Sequence, residues 1–160
     1  MKMIDQGSYP NKYVVDTNII IYTLAGVKAA VWAMKKLEDD DIEVYYSTIV
    51  EAELFSFHEL TLEQKSKIRG ILDIGEIVDV DSKVALKAAE LRALSKKDYN
   101  RKLKLPDAIV AATALLLSAV LVTRNVEDFK HLRRHGLHLY NPFEHEEDNS
   151  QRFVSELEQN

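Results

Sequence analysis

The chain has no cysteine. That excludes disulfide bonds, a thiolate nucleophile and cysteine-bound zinc, and it suits a reducing cytosol. An excess of basic charge is also missing. The formal net charge is −5, so the chain is not a basic nucleic-acid coat, and a nucleic-acid substrate would have to meet a local basic patch or metal ions. The first residues, MKMIDQGSYPNK, lack the apolar core of a signal peptide. No apolar run reaches membrane length. The longest, residues 108–122, falls short of the ~20 residues a span needs, and Thr113 and Ser118 interrupt it. It reads as a buried helix followed by a strand. Low-complexity runs and internal repeats are absent. These absences predict a cytoplasmic protein with no membrane segment.

A length of 160 residues suits one domain with its own core. Hydrophobic and charged contents of 46% and 29% are ordinary for a globular chain. Residues 12–16, 43–47, 75–80, 120–123 and 137–140 read as strands. Residues 19–24, 29–38, 48–60, 62–72, 82–96, 106–118 and 126–135 read as helices, with Thr17 or Asn18 capping the first. The helix over 82–96 is amphipathic, with Val84, Leu86, Ala89, Leu91 and Leu94 on its apolar side. Strands separated by one or two helices predict a parallel sheet with helices on both faces. In such sheets the functional crevice lies beyond the carboxyl ends of the strands.

Several acids fall at those ends. Asp16 follows the apolar run Tyr13-Val14-Val15. Its local explanation is a helix cap, and its functional one is a crevice carboxylate. Glu51 has capping-box spacing from Thr48 and needs no other role. Glu53 instead shares the i, i+3, i+4, i+7 stripe of Val50, Leu54 and Phe57. A carboxylate on such a stripe is costly unless a positive group meets it, or unless it bends out at the edge. Asp107 follows Pro106 in the first turn of the apolar helix, where the helix dipole favours negative charge. Asn125 stands past the strand at 120–123 as an N-cap, with Asp128 at the third helical position. Asn125 could equally hold a metal or a water.

Taken together, Asp16, Glu53 and Asp107, joined by Asp128, form a set that mere capping does not explain. Carboxylates gathered in one crevice raise one another's pKa, and a divalent cation removes the conflict. Mg²⁺ and Mn²⁺ prefer such oxygen ligands. The chemistry they support is metal-assisted hydrolysis.

The segments VVDTNIIIY, STIVEAEL, LKLPDAIVAATAL and LVTRNVEDF, in this order, resemble the motifs of PIN-domain nucleases, specifically VapC-type toxins of toxin–antitoxin pairs. The resemblance runs from about Tyr13 to about Pro142. It implies a PIN-like three-layer α/β/α sandwich around a parallel sheet of about five strands. This domain would span residues 1–142, with residues 143–160 as a polar acidic tail, loose or docking. It implies a Mg²⁺- or Mn²⁺-dependent endoribonuclease, with Asp16, Glu53 and Asp107 as its acids and metal ligands. Many members carry a fourth acid where this chain has Asn125, and Asp128 matches another frequent acid. Thr17, Asn18 and Thr123 match polar positions that line such sites. The resemblance also implies a homodimer and a small antitoxin partner that brings a basic side chain toward the acids.

RNA needs positive charge, and residues 96–104 supply it. Lys97, Arg101, Lys102 and Lys104 are candidates for phosphate contacts there and Tyr99 for base stacking, with Arg124 a further candidate. The alternative for this segment is a solvated loop. His131 and His135 are four apart but lack a third metal ligand, and cations near a helix end are favourable anyway. A phosphoacceptor receiver-like domain would need an acidic pair and a late lysine that are not found. A non-toxin PIN nuclease of RNA processing, or a catalytically weak PIN-like RNA-binding module, are the remaining alternatives. The second would be expected to have lost its acids.

Overall fold

In a computed structural model, which describes residues 11–144, the strands are β1 (Lys12–Val15), β2 (Glu43–Ser47), β3 (Glu76–Val78), β4 (Val120–Val122) and β5 (His138–Tyr140). They form one sheet in the order β3-β2-β1-β4-β5, with every pair parallel. The helices are α1 (Thr17–Leu24), α2 (Lys28–Leu37), α3 (Thr48–Phe55), α4 (Leu62–Leu72), α5 (Ser82–Tyr99), α6 (Leu105–Leu117) and α7 (Val126–Phe129), the last continued by a 3-10 turn over Lys130–His135. The result is the α/β sandwich that the resemblance implies.

The strand chemistry explains the layers. A parallel sheet is covered on both faces, so its central strands are apolar throughout. The Val-Leu-Val run of β4 is wholly buried, and so are Tyr13, Val14 and Val15 of β1. The chain first winds β1-β2-β3 in one direction. It then crosses back beyond β1 to lay down β4 and β5. The order therefore reverses between β1 and β4, and a crevice opens at the carboxyl ends of that pair.

Helix α6 delivers a residue to the same place. It feeds β4 through only Ser118 and Ala119, with Ser118 in the left-handed region at φ 52°. So tight a reversal makes α6 antiparallel to the strand, and its first turn returns to the carboxyl edge. Residues Ala108 to Ala114 are all buried, and the many alanines let α5 and the sheet approach closely. No single helix among the described residues is long and apolar enough to cross a membrane.

Several local expectations are corrected. Asp16, not Thr17 or Asn18, caps α1. Ser47 caps α3, which stops at Phe55 rather than near residue 60. No capping box links Thr48 to Glu51. Thr48 Oγ1 accepts from the Val80 backbone N–H at 3.2 Å, and Glu51 pairs with Arg69 at 2.6 Å. On α5 the buried face is Val84, Ala88, Leu91 and Ser95, whereas Leu86 is 69% exposed. The same helix runs on to Tyr99, so Lys97 and Tyr99 are helical and not in a loop. Asn100 ends it in the left-handed region, as a C-cap residue can. Of the tail expected at 143–160, Phe143 packs on the Tyr22 ring. Residues 145–160 lie outside the described part.

Gly75 marks a close approach where the chain enters β3. A Cβ there would stand 2.6 Å from the Val44 carbonyl oxygen and 2.8 Å from Tyr46 Cε2. The carbonyl belongs to the sheet and has no room to yield. Gly75→Ala is expected to cost about 2 kcal/mol, read as a lower urea midpoint. An unchanged midpoint would show that the strand entry is looser than this.

Candidate functional site

Asp16 leaves β1 at the reversal of the sheet. Its backbone N–H still donates to the Val122 carbonyl at 2.9 Å, extending the β1–β4 ladder by one rung. The side chain is buried, and three donors meet it. The Thr17 backbone N–H reaches Oδ1 at 2.9 Å. The Asn18 amide and the Thr123 hydroxyl reach Oδ2 at 3.0 and 2.9 Å. The cap reading and the crevice reading of Asp16 are therefore compatible, because one oxygen caps while the other faces β4.

Thr123 and Asn18 tie the rest together. The Thr123 hydroxyl donates to Asp16 and accepts from the Asn18 amide at 3.3 Å and the Asn125 backbone N–H at 3.1 Å. Asn18 Oδ1 accepts from the Arg124 backbone N–H at 3.1 Å. Thr17 turns its hydroxyl the other way and donates to Glu53 Oε1 at 3.0 Å. Glu53 is exposed on α3, while Val50 and Leu54 beside it are fully buried. It therefore occupies the edge of its stripe, and no lysine among the described residues pairs with it.

Asp107 is half-buried in the first turn of α6, and Asp128 is exposed on α7. The acids act on one another. Burial, with smaller contributions from the charges of Asp107 and Glu53, pushes the Asp16 carboxyl up to about 6, against the hydrogen bonds from Thr123 and Thr17 that favour its ionised form. Burial, then the charges of Asp128 and Glu53, also raises Asp107, and Lys104 opposes this. The four carboxylates thus share one field. They are not drawn into a ligand sphere: among the described residues no three His, Asp or Glu side chains form a group able to hold a metal ion as they stand. The donor set is all hard oxygen, and its mutual repulsion is of the kind a divalent cation offsets. Asn125 is exposed and makes no side-chain cap bond, so only its backbone joins the network.

The basic residues divide. Arg101, Lys102 and Lys104 line a small pocket with Asp107, Asp128 and His131. Lys97 and Tyr99, on the last turns of α5, do not line it. The Tyr99 hydroxyl is 3.0 Å from His135 Nε2, and its ring packs edge-on against both His131 and His135. Arg124 sets its guanidinium over Tyr22 at 4.7 Å and Phe143 at 4.5 Å. Sequence reasoning passed over Ser95, whose hydroxyl lies 2.8 Å from His131 Nε2. The available signal was the matched spacing of Ser95 and Tyr99 with His131 and His135, four residues on each side.

A family profile described as PIN domain matches residues 13–134. Among solved structures, the chain is similar to VapBC2 from Rickettsia felis bound to a DNA fragment from their promoter, at 27% identity and a TM-score of 0.70, covering 81% of this chain and 98% of that one. It is similar to a toxin–antitoxin complex from Klebsiella pneumoniae at 28% identity and a TM-score of 0.64, covering 81% and 97%. It is likewise similar to FitAcB from Neisseria gonorrhoeae at 25% identity and a TM-score of 0.65, covering 82% and 98%. No curated protein matches the chain.

The Asp16 environment sets a pH dependence. Its carboxyl lies near 6 in the folded chain against an ordinary 3.8. A carboxyl raised on folding binds its proton more tightly in the folded state. That stabilisation is complete below about pH 4 and is lost as pH rises through about 6. In metal-free buffer, wild type is therefore expected to gain stability relative to Asp16→Asn as pH falls from 7 to 4, on top of whatever the variant loses by having a single acceptor oxygen. Denaturant titrations in EDTA at both pH values check this, and a difference that does not change with pH would contradict it.

Proposed function

The chain belongs to the PIN-domain family of nucleases, matched over residues 13–134, and on that premise we propose that it is a Mg²⁺- or Mn²⁺-dependent endoribonuclease acting as the toxin of a toxin–antitoxin pair. The observation that carries the proposal is the Asp16 carboxylate, buried at the sheet reversal under three hydrogen bonds, with Glu53 and Asp107 in its field. In this reading Asp16, Glu53, Asp107 and Asp128 would hold the ion, and Asn125 could hold a water. Once bound, the ion would supply Lewis acidity toward a water nucleophile and toward the charge on the phosphoryl group. Thr17, Asn18 and Thr123 keep the carboxylates aimed, so little reorganisation is left for the reaction itself. The cations at Arg101, Lys102 and Lys104 let an acidic site approach a polyanion.

The toxin role is supported by the similar structures from Klebsiella pneumoniae and Rickettsia felis, which are a toxin–antitoxin complex and a VapBC pair on promoter DNA. A groove of about 590 Å³, lined by apolar residues such as Ile21, Leu24 and Phe57 and by the polar His58, Glu59, Gln64 and Lys67, offers a protein partner a mixed surface. Phe57 is 51% exposed at its edge. An antitoxin docking there and reaching the acids with a basic side chain would compete with metal for the same carboxylates. A homodimer and a cytoplasmic location belong to the same proposal.

Asp16→Asn, Glu53→Gln and Asp107→Asn are each expected to lower Mn²⁺-dependent RNA cleavage by roughly 100-fold or more, the scale of losing one catalytic electrostatic group. Circular dichroism should show each variant folded. Asp107→Asn cutting RNA at the wild-type rate would remove that residue from the site. Wild type that binds RNA without cutting it in Mg²⁺ or Mn²⁺ would favour the binding-module alternative. Induced expression that leaves growth unchanged would remove the toxin role.

A further inference from the structure

Glu53 and Asp107 stand on helices of eight and 13 residues, but Asp128 stands on one of four. Its segment continues only as a 3-10 turn over Lys130–His135. So short a helix does not hold itself, and 3-10 runs of this length are uncommon. Asn125 gives α7 no side-chain cap. Phe129 and Leu132 are fully buried and anchor the segment in the core. Apolar burial is non-directional, so these two residues fix the depth of the segment better than its rotation. Asp128 directly precedes Phe129, and a rotation of the segment would swing its carboxylate relative to Asp107.

Hydrogen bonds supply the missing direction, and they come from α5. Ser95 is the polar member of the buried face Val84, Ala88, Leu91 and Ser95. A buried hydroxyl on an apolar stripe requires a partner, and Ser95 Oγ has one in His131 Nε2 at 2.8 Å. One turn further on, the Tyr99 hydroxyl is 3.0 Å from His135 Nε2, and its ring packs edge-on against His131 and His135 with centroids 5.1 and 5.9 Å away. Just past the end of α5, Arg101 donates to the Glu127 carbonyl at 2.6 Å. These contacts bracket Asp128, with Glu127 before it and His131 and His135 after it. Burial, then the charges of Arg101 and His135, lowers the His131 pKa. A neutral ring therefore makes the buried rung, and it brings no further cation toward the acids.

Helix α5 also packs along α6, the helix that carries Asp107. One long helix thus holds the elements of both acids, α6 by packing and residues 126–135 by the two rungs. Asp107 and Asp128 line one small pocket, so a small rotation at either element changes their separation. We propose that Ser95 and Tyr99 are positioning residues, which act through His131 and His135 to set the place of Asp128 against Asp107. The proposal rests on the metal-dependent nuclease reading and deepens it, because it gives a role to four side chains outside the carboxylate set.

The test is Mn²⁺ uptake by the full chain, read without RNA from the loss of the free-ion EPR signal. Asp128→Asn is expected to weaken Mn²⁺ binding roughly tenfold, and Ser95→Ala and Tyr99→Phe roughly threefold each. In the Asp128→Asn background the other two substitutions are expected to change Mn²⁺ affinity no further, because their effect runs through Asp128. A loss that persists undiminished in that background would overturn the proposal, since it would mark a general loosening. So would wild-type Mn²⁺ affinity in both Ser95→Ala and Tyr99→Phe, however far their urea midpoints fall, or in Asp128→Asn itself. Tyr99→Phe keeps the ring against both histidines and removes only an exposed bond, so a misfolded Ser95→Ala leaves the test intact. A wild type that shows this coupling yet leaves RNA uncut in Mn²⁺ would support the proposal while removing the nuclease reading. RNA cleavage by a wild type whose Mn²⁺ affinity ignores Ser95 and Tyr99 would do the reverse.

Discussion

A carboxylate buried where a parallel sheet reverses direction is the constraint on which the rest of the site depends. Asp16 has little water around it, so its charge must be met by donors held in place. Two elements supply them: the start of α1 through Thr17 and Asn18, and the end of β4 through Thr123. Each donor is short and sits one or two residues beyond a strand or inside a first helical turn. The reversal of strand order brings those termini together, and the hydrogen bonds then fix how far the acid can move. Three donors do not fully compensate the burial, since the carboxyl remains raised to about 6. The unbalanced remainder suits a site built to receive positive charge.

Around this centre the charges are sorted by distance from the core. Asp16 is buried, Asp107 is half-buried, and Glu53 and Asp128 are exposed. The buried acid is tied most tightly and the exposed ones least. An open carboxylate cluster of this kind keeps its outer members able to adjust. The cations follow another rule. Arg124 sits over Tyr22 and Phe143, and Arg69 is spent on Glu51 and the Phe55 ring. Arg101, Lys102 and Lys104 stand beside Asp107 and Asp128. A net acidic chain can therefore still present positive charge to a phosphate at one spot.

Much of this was legible in the residues. The apolar runs of β1 and β4, too short for helices and flanked by polar caps, marked buried parallel strands. Pro106 and Asp107 before a run of alanines marked the start of α6. The acids could be named because each broke a local pattern: Asp16 ended an apolar strand and Glu53 interrupted an apolar stripe. Other features were not legible, because they depend on partners distant in sequence. Thr48 and Glu51 had capping-box spacing, yet Val80 and Arg69 claimed them. Leu86 had the helical period of a core residue, yet α6 packs against the neighbouring face of α5. His131 and His135 read as a weak pair of cations, because nothing nearby in sequence reveals that Ser95 and Tyr99 wait at matching spacing 36 residues earlier.

The sequence by itself determined the order of strands and helices, the parallel sheet and the short list of acids. Those follow from periodicity, capping chemistry and the cost of burying charge, all of which act within a few residues. Only the tertiary structure decided which of those acids share a field, which cations remain near them and which side chains meet His131 and His135. Electrostatic coupling and hydrogen-bond satisfaction depend on distances through space, and it is the crossover from β3 past β1 to β4 that sets those distances.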